Sequence, residues 1–297
     1  VKAAVETVLV RGGAAKLARH FHRDRTLVLA YHNIVPHGDP VAGDCSLHLP
    51  QRQFAAQLDL LVELCDVIPL DSALERNGRG KRPRVAITFD DAYRGTVTAG
   101  VSELVSRGLP ATIFVVPAFV GGGAFWWDDV LPLVQDDTAA FRQRALDEFA
   151  GRDEAIRAWA AARIRPQPLP QHTVTATEGQ LGEASAQRGI TLGSHTWSHP
   201  NLTRLDRETV ARELTRSLEW LTHRFASVVP WLAYPYGLGS PEIGRAAAEA
   251  GYRGAFGISG GWLPRTDPDA FDLPRLNVPA GVSLHGLALR LGGLRAR

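Results

Sequence analysis

Val85-Ala86-Ile87-Thr88-Phe89-Asp90-Asp91-Ala92-Tyr93 decides how this chain is read. Val85, Ile87 and Phe89 alternate with Ala86 and Thr88, the pattern of a buried strand, and the strand ends in two adjacent carboxylates. Neighbouring acids repel unless a cation lies beside them, and a divalent metal meets that need when neutral donors join it. Roughly a hundred residues later the chain supplies two, in Ser194-His195-Thr196-Trp197-Ser198-His199-Pro200. Successive strand residues face opposite sides, so Asp90 and Asp91 cannot both aim at one ion from within a strand. At the strand's end that rule relaxes, and one acid can hold the metal while the other faces a water. The plainer readings are a solvated acidic turn and two surface histidines.

Outward from this stretch, strands alternate with helices. Strands are expected at 26–32, ending at His32, near 67–68, at 111–116 and 189–195, at 231–234, and at 252–258 and 273–278. Helices are expected at 53–64 (stripe Phe54, Leu58, Leu61, Val62), 96–107 closed by Gly108, 206–225 with Asp206 as N-cap, 241–250 and 284–294. This order predicts an α/β fold, a distorted or incomplete (β/α) barrel of about seven parallel strands. Active sites of such barrels lie at the carboxyl ends of the strands. His32, Asp90, Asp91, His195, Tyr236 and Arg275 all fall near such ends.

Residues 1–25 read as a basic N-terminal helical extension, broken near Gly12-Gly13. Residues 26–297 then form the main domain, with an insertion at about 121–180. A Gly/Arg/Lys turn is expected at 77–84 and a Pro-rich linker at 166–170. Phe125-Trp126-Trp127 reads as a sugar-stacking wall or as core, and Asp128-Asp129 as helix N-terminal acids.

The chain of 297 residues is 45% hydrophobic and 22% charged, enough for a sizeable core and against disorder. A net charge of +2 gives no reason to expect nucleic acid as a partner. Cys45 and Cys65 form neither a disulfide framework nor a zinc motif. No run spans a bilayer, and Thr7-Val8-Leu9-Val10 is too short for a secretory core. A cytoplasmic or membrane-peripheral location is therefore expected, the peripheral case resting on a thin apolar face. Oligomeric state is not legible.

Thr88-Phe89-Asp90-Asp91, His195-Thr196-Trp197-Ser198-His199 and Tyr234-Pro235-Tyr236-Gly237 resemble, in order, three motifs of the polysaccharide deacetylases, the NodB-like carbohydrate esterases. The resemblance runs from about residue 27 to 280, outside the 121–180 insertion. It implies a NodB-like barrel and a metal held by Asp91, His195 and His199, with zinc expected and cobalt or nickel tolerated. It further implies Asp90 as the base and the backbone N–H of Tyr236 as an oxyanion donor. Two departures stand out. Ala233 and Tyr234 occupy the place of the family's arginine, so Arg275 is the candidate to orient Asp90, or else a surface residue. The family's C-terminal general-acid histidine is poorly matched by His285. Leu29-Ala30-Tyr31-His32 matches it better, as in circularly permuted members, with a core histidine as the bland alternative. The implied activity is deacetylation of an N-acetylated, less readily an O-acetylated, carbohydrate. A hydrolase of non-sugar amides or imides and a carbohydrate-binding pseudoenzyme are the alternatives.

Overall fold

The computed structural model describes residues 6, 8–10, 12–75, 80–134, 137–161, 163, 165, 168–264, 266 and 268–294. Ten strands are present among them: β1 Thr26–Tyr31, β2 Asn33–Val35, β3 His48–Pro50, β4 Asp66–Val67, β5 Arg84–Phe89, β6 Ala111–Val115, β7 Ile190–Ser194, β8 Val228–Ala233, β9 Gly254–Phe256 and β10 Leu276–Asn277. All but β2 and β3, which pair with each other, belong to one parallel sheet. Its order is β10-β1-β5-β6-β7-β8-β9, with β4 beside the start of β5. A single parallel bridge, Phe256 to Leu273, joins the far edge to the segment that runs into β10. Residues 273–277 therefore touch both β9 and β1, and the sheet curls into the distorted barrel that the alternation predicted.

The register explains which side chains point where. Leu27, Leu29, Tyr31, Val85, Ile87, Phe89, Ile113 and Val115 form one apolar cluster with helix residues such as Phe54, Leu58 and Leu104. The alternate residues Val28, Ala86, Phe114, Trp231 and Phe256 form a second cluster, drawn from strands around the ring and lying inside it. Period-two alternation thus separates an outer layer under helices from an inner plug. Asp90 shares parity with Ala86 and Thr88, which aims it inward.

The helices depart from expectation in detail. In Gln51–Leu64 the buried stripe is Phe54, Gln57, Leu58 and Leu61, while Val62 is exposed. At 100° per residue Val62 lies off the stripe and Gln57 on it. The Gln57 amide oxygen accepts from the buried Tyr31 hydroxyl at 3.0 Å. The helix expected at 96–107 begins as one π-turn, Thr96–Gly100, before Val101–Ser106. Asp206 caps Arg207–Arg224 as expected, accepting from the Thr209 N–H at 2.8 Å. The last helix, Leu284–Arg290, stops short of Leu294, with Gly293 left-handed at φ 76°. The strand expected at 273–278 is interrupted: Leu273 bridges Phe256 and only Leu276 and Asn277 pair with β1, because Pro274 has no N–H and Arg275 turns inward.

The 121–180 segment builds short helices, Trp126–Asp129, Thr138–Asp147 and Asp153–Ala160, around a separate apolar cluster that includes Tyr93 and Val116 of the barrel rim. Parts of the expected turn at 77–84 (residues 77–79), of the linker at 166–170 (residues 166 and 167) and of the N-terminal extension lie outside the described residues. No helix of the described residues is long and apolar enough to cross a membrane.

Candidate metal centre

Parallel strands deliver their carboxyl ends to one rim. Tyr31 pairs with Phe89, Val115 with Ser194, and Ser194 with Leu232. The residues that follow these ends, His32, Asp90, Asp91, His195 and His199, are thereby gathered. Of six non-glycine residues with positive φ among the described residues, five sit in these rim loops: Asp91 (70°), Ala92 (50°), Thr196 (65°), His199 (60°) and Tyr236 (59°). Left-handed backbone is costly for such residues, and its clustering marks a functional site. The turn at Asp91 is what frees it from strand alternation, so that it and Asp90 reach the same region.

Asp91, His195 and His199 present donor atoms that all lie within 4.8 Å of one another. Asp91 Oδ1 is 3.6 Å from His195 Nε2 and 3.5 Å from His199 Nε2, and the two nitrogens are 3.1 Å apart. His195 Nδ1 donates to the Ala233 carbonyl at 2.7 Å, so Nε2 carries a lone pair. Asp91 Oδ1 is buried with no hydrogen-bond partner. Lone pairs facing each other this closely repel, and a cation among them removes the repulsion. Ligands at ~2.1 Å around a tetrahedral ion lie roughly 3.4 Å apart, so the donor set fits a zinc-type ion.

Electrostatics agree with the geometry. Burial, reinforced by the carboxylates of Asp90 and Asp128, holds Asp91 well above the usual carboxylate range. Burial, with His195 next to it, holds His199 well below the usual imidazole value, and burial lowers His195 as well. Each shift records a donor deprived of solvent, which a bound cation compensates.

Asp90 is gripped by Arg275, whose Nη1 donates to Oδ1 at 2.6 Å and Nη2 to Oδ2 at 2.8 Å. The guanidinium is fully buried and also donates to the Gly257 carbonyl at 3.2 Å. Burial alone would raise Asp90; the guanidinium overrides it, and the carboxyl stays ionised far below the ordinary range. Arg275 is not a surface residue. His32 is only partly covered. Its desolvating surroundings push it down to about 4, Asp90 pulling it up and Arg275 pushing it further down. The Tyr236 ring lies 4.6 Å from that of His199, and its hydroxyl donates to the Gly151 carbonyl at 3.3 Å.

Some neighbours were ambiguous in the sequence, and one was silent. Phe125, Trp126 and Trp127 are buried core, and Trp127 packs 4.9 Å from the His199 ring. Asp128 is fully buried beneath them. Glu213, on the helix after the histidine loop, accepts from Ser198 N–H at 2.8 Å and from Ser198 Oγ at 2.7 Å. Asp128, which the sequence offers as a helix N-terminal acid, does stand in the first turn of Trp126–Asp129, with its carboxylate buried.

Comparison with known proteins follows the same line. A family profile described as polysaccharide deacetylase matches residues 77–255. The chain is 24% identical over 261 residues to YxkH of Bacillus subtilis (strain 168), which bears a provisional polysaccharide deacetylase name. The match covers 86% of this chain and 72% of that one. Among solved structures, the fold resembles the Streptococcus pyogenes deacetylase PplD in complex with acetate, with TM-score 0.63, 17% identity, and 90% of this chain and 98% of that one covered. It also resembles IcaB from Ammonifex degensii, with TM-score 0.61, 18% identity, and 91% and 97% covered.

Proposed function

Because this chain belongs to the polysaccharide deacetylase family, we propose that it removes N-acetyl, in preference to O-acetyl, groups from a carbohydrate with a divalent cation held by Asp91, His195 and His199. The observation that carries this reading is the convergence of those three donors beside an ionised Asp90 clamped by Arg275.

A bound divalent cation would supply Lewis acidity, polarising the acetyl carbonyl and acidifying water. The chain's own groups divide the rest. Asp90, held by Arg275 with both oxygens bonded, takes the proton of the attacking water. Its low affinity for protons keeps it ionised across the working pH range. The Tyr236 N–H donates to the oxygen that gains charge. His32, partly open to solvent across the rim and neutral at rest, takes up a proton in the course of the reaction and passes it to the departing amine. An amine departs poorly without that proton, whereas a sugar hydroxyl departs more readily, so the presence of this histidine favours the amide substrate.

Metal analysis of the purified protein, coupled to acetate detection on N-acetylhexosamine oligomers and on O-acetylated xylan, tests this. The expected result is one tightly held divalent ion and acetate release from the N-acetylated oligomers. Asp90→Asn should keep the ion and lose on the order of 10²–10⁴-fold in rate. Metal binding without acetate release from any sugar would favour the non-sugar amide reading, and sugar binding without turnover the pseudoenzyme.

A further inference from the structure

Asp128 is a carboxylate that the reaction above leaves without a role, although its side chain is wholly shielded from solvent. Oδ1 accepts from His48 Nε2 at 2.8 Å and from the Asp44 N–H at 3.0 Å, and Oδ2 accepts from the Tyr93 hydroxyl at 2.7 Å. The Tyr93 oxygen in turn accepts from Trp127 Nε1 at 2.8 Å. Proton positions follow from the network's far end. His172 Nε2 faces the Pro40 carbonyl at 3.0 Å and so carries a proton, which leaves its Nδ1 as acceptor for the Asn33 amide nitrogen at 3.3 Å. The same amide nitrogen meets His48 Nδ1 at 2.9 Å. His48 Nδ1 therefore accepts, and its Nε2–H is the proton given to Asp128. Asp128 is thus a buried carboxylate whose oxygens are satisfied by three donated hydrogen bonds, an arrangement that is costly for folding.

Two features tie this anion to the metal centre. Its carboxylate is buried and bonded to Tyr93, two residues beyond Asp91 on the same rim loop, so its charge reaches that region little screened by water. Through Tyr93 it also seats Trp127, whose ring is stacked on Phe125 at 4.4 Å and packed 4.9 Å from His199. His199 Nδ1 has no hydrogen-bond partner, so the ring of this ligand is oriented by packing rather than by a bond.

We propose that Asp128 is a positioning residue for the metal centre: through Tyr93 and Trp127 it fixes the His199 ring, and its buried charge draws the cation in. The inference rests on the metal-site reading above. It adds residues of the 121–180 segment to the machinery that holds the ion.

The test is a cobalt(II) titration of the full chain, followed by visible d–d absorption and by competition with a chelator, beside melting curves of the metal-free protein. Asp128→Asn keeps the shape and removes the charge; Tyr93→Phe keeps the charge and breaks the link to Trp127. The expected result is a dissociation constant raised about tenfold in Asp128→Asn, less in Tyr93→Phe, and a displaced d–d band in both. In the double variant the band should lie where Asp128→Asn alone puts it, since both act through one linkage. Wild-type cobalt affinity and spectrum in both variants, with only a lower melting temperature, would overturn the proposal, for Asp128 would then serve folding alone. If Asp128→Asn does not fold, Tyr93→Phe decides: an unchanged band overturns the linkage. Wild-type protein that takes up no cobalt overturns the metal reading itself, and this inference with it.

Discussion

Asp91 shows at a single residue how a site of this kind is held against the fold's own preference. Its carboxylate is buried beside Asp90 and Asp128, with Oδ1 lacking a partner, and its affinity for a proton is raised accordingly. A raised folded-state value means that the native protein holds this proton more tightly than the unfolded chain does. The stability it contributes is present below the ordinary carboxylate range and is lost as pH rises through the raised value. Asp91→Asn should therefore make the metal-free protein more stable than wild type by on the order of 1–3 kcal/mol at neutral pH, the gap closing toward pH 4. The amide can also donate to the imidazole nitrogens that the carboxylate faces. With zinc or cobalt in excess the order should reverse, because the ion stabilises only the protein that binds it. Melting curves at pH 5 and pH 8, with chelator and with metal, check both signs. A stability difference that does not change with pH would show that Asp91 is not under this strain.

At the scale of elements, the histidine loop is shaped by the helix that follows it. Glu213 accepts two hydrogen bonds from Ser198, the Trp197 N–H donates to the Glu213 carbonyl at 3.1 Å, and Arg216 lies 3.6 Å over the Trp197 ring. One turn later Ser217 meets Ser194 at 2.8 Å. These contacts hold Thr196 and His199 in left-handed backbone that neither adopts readily. Glu213→Ala should weaken zinc binding about tenfold, measured by chelator competition, with a smaller effect on the melting of the metal-free protein. An unchanged zinc affinity would assign the loop's shape to Ser194 and Ser217 instead. The same elements show what a sequence discloses. The acid-tipped strand and the paired histidines were legible because strand periodicity and short spacing are local signals. Glu213 was not, since fifteen positions separate it from Ser198 and only the packed helix brings them together. Phe125 to Trp127 were ambiguous, because core and sugar-facing aromatics share one composition. Gln57 was missed because a polar residue on an apolar stripe is read only once its partner, Tyr31, is seen.

At the scale of the whole molecule, the barrel is closed where Arg275 meets Asp90. β1 leads the chain yet lies between β5 and β10, and the segment that carries Arg275 bridges β9 to β1. A ring can be opened at any point without moving its rim, so the position of His32 at the head of the chain is compatible with a role beside Asp90. Arg275 was the least legible site residue, because it stands in a run that looks like an ordinary edge strand. Its guanidinium, packed 5.3 Å over the Phe114 ring inside the barrel, is instead the partner that lets Asp90 stay ionised there. Arg275→Met should therefore cost about 3–5 kcal/mol, the consequence of leaving a buried carboxylate without its cation. It should also raise the proton affinity of Asp90, so that the acid limb of the pH–rate profile moves upward. Adding Asp90→Asn to Arg275→Met should return much of the stability, since a neutral amide costs less to bury, and none of the activity. Urea unfolding of the two single variants and the double variant measures the coupling directly. Additive costs would mean that the pair is not a unit, and that the last segment is held to the barrel by its apolar residues alone.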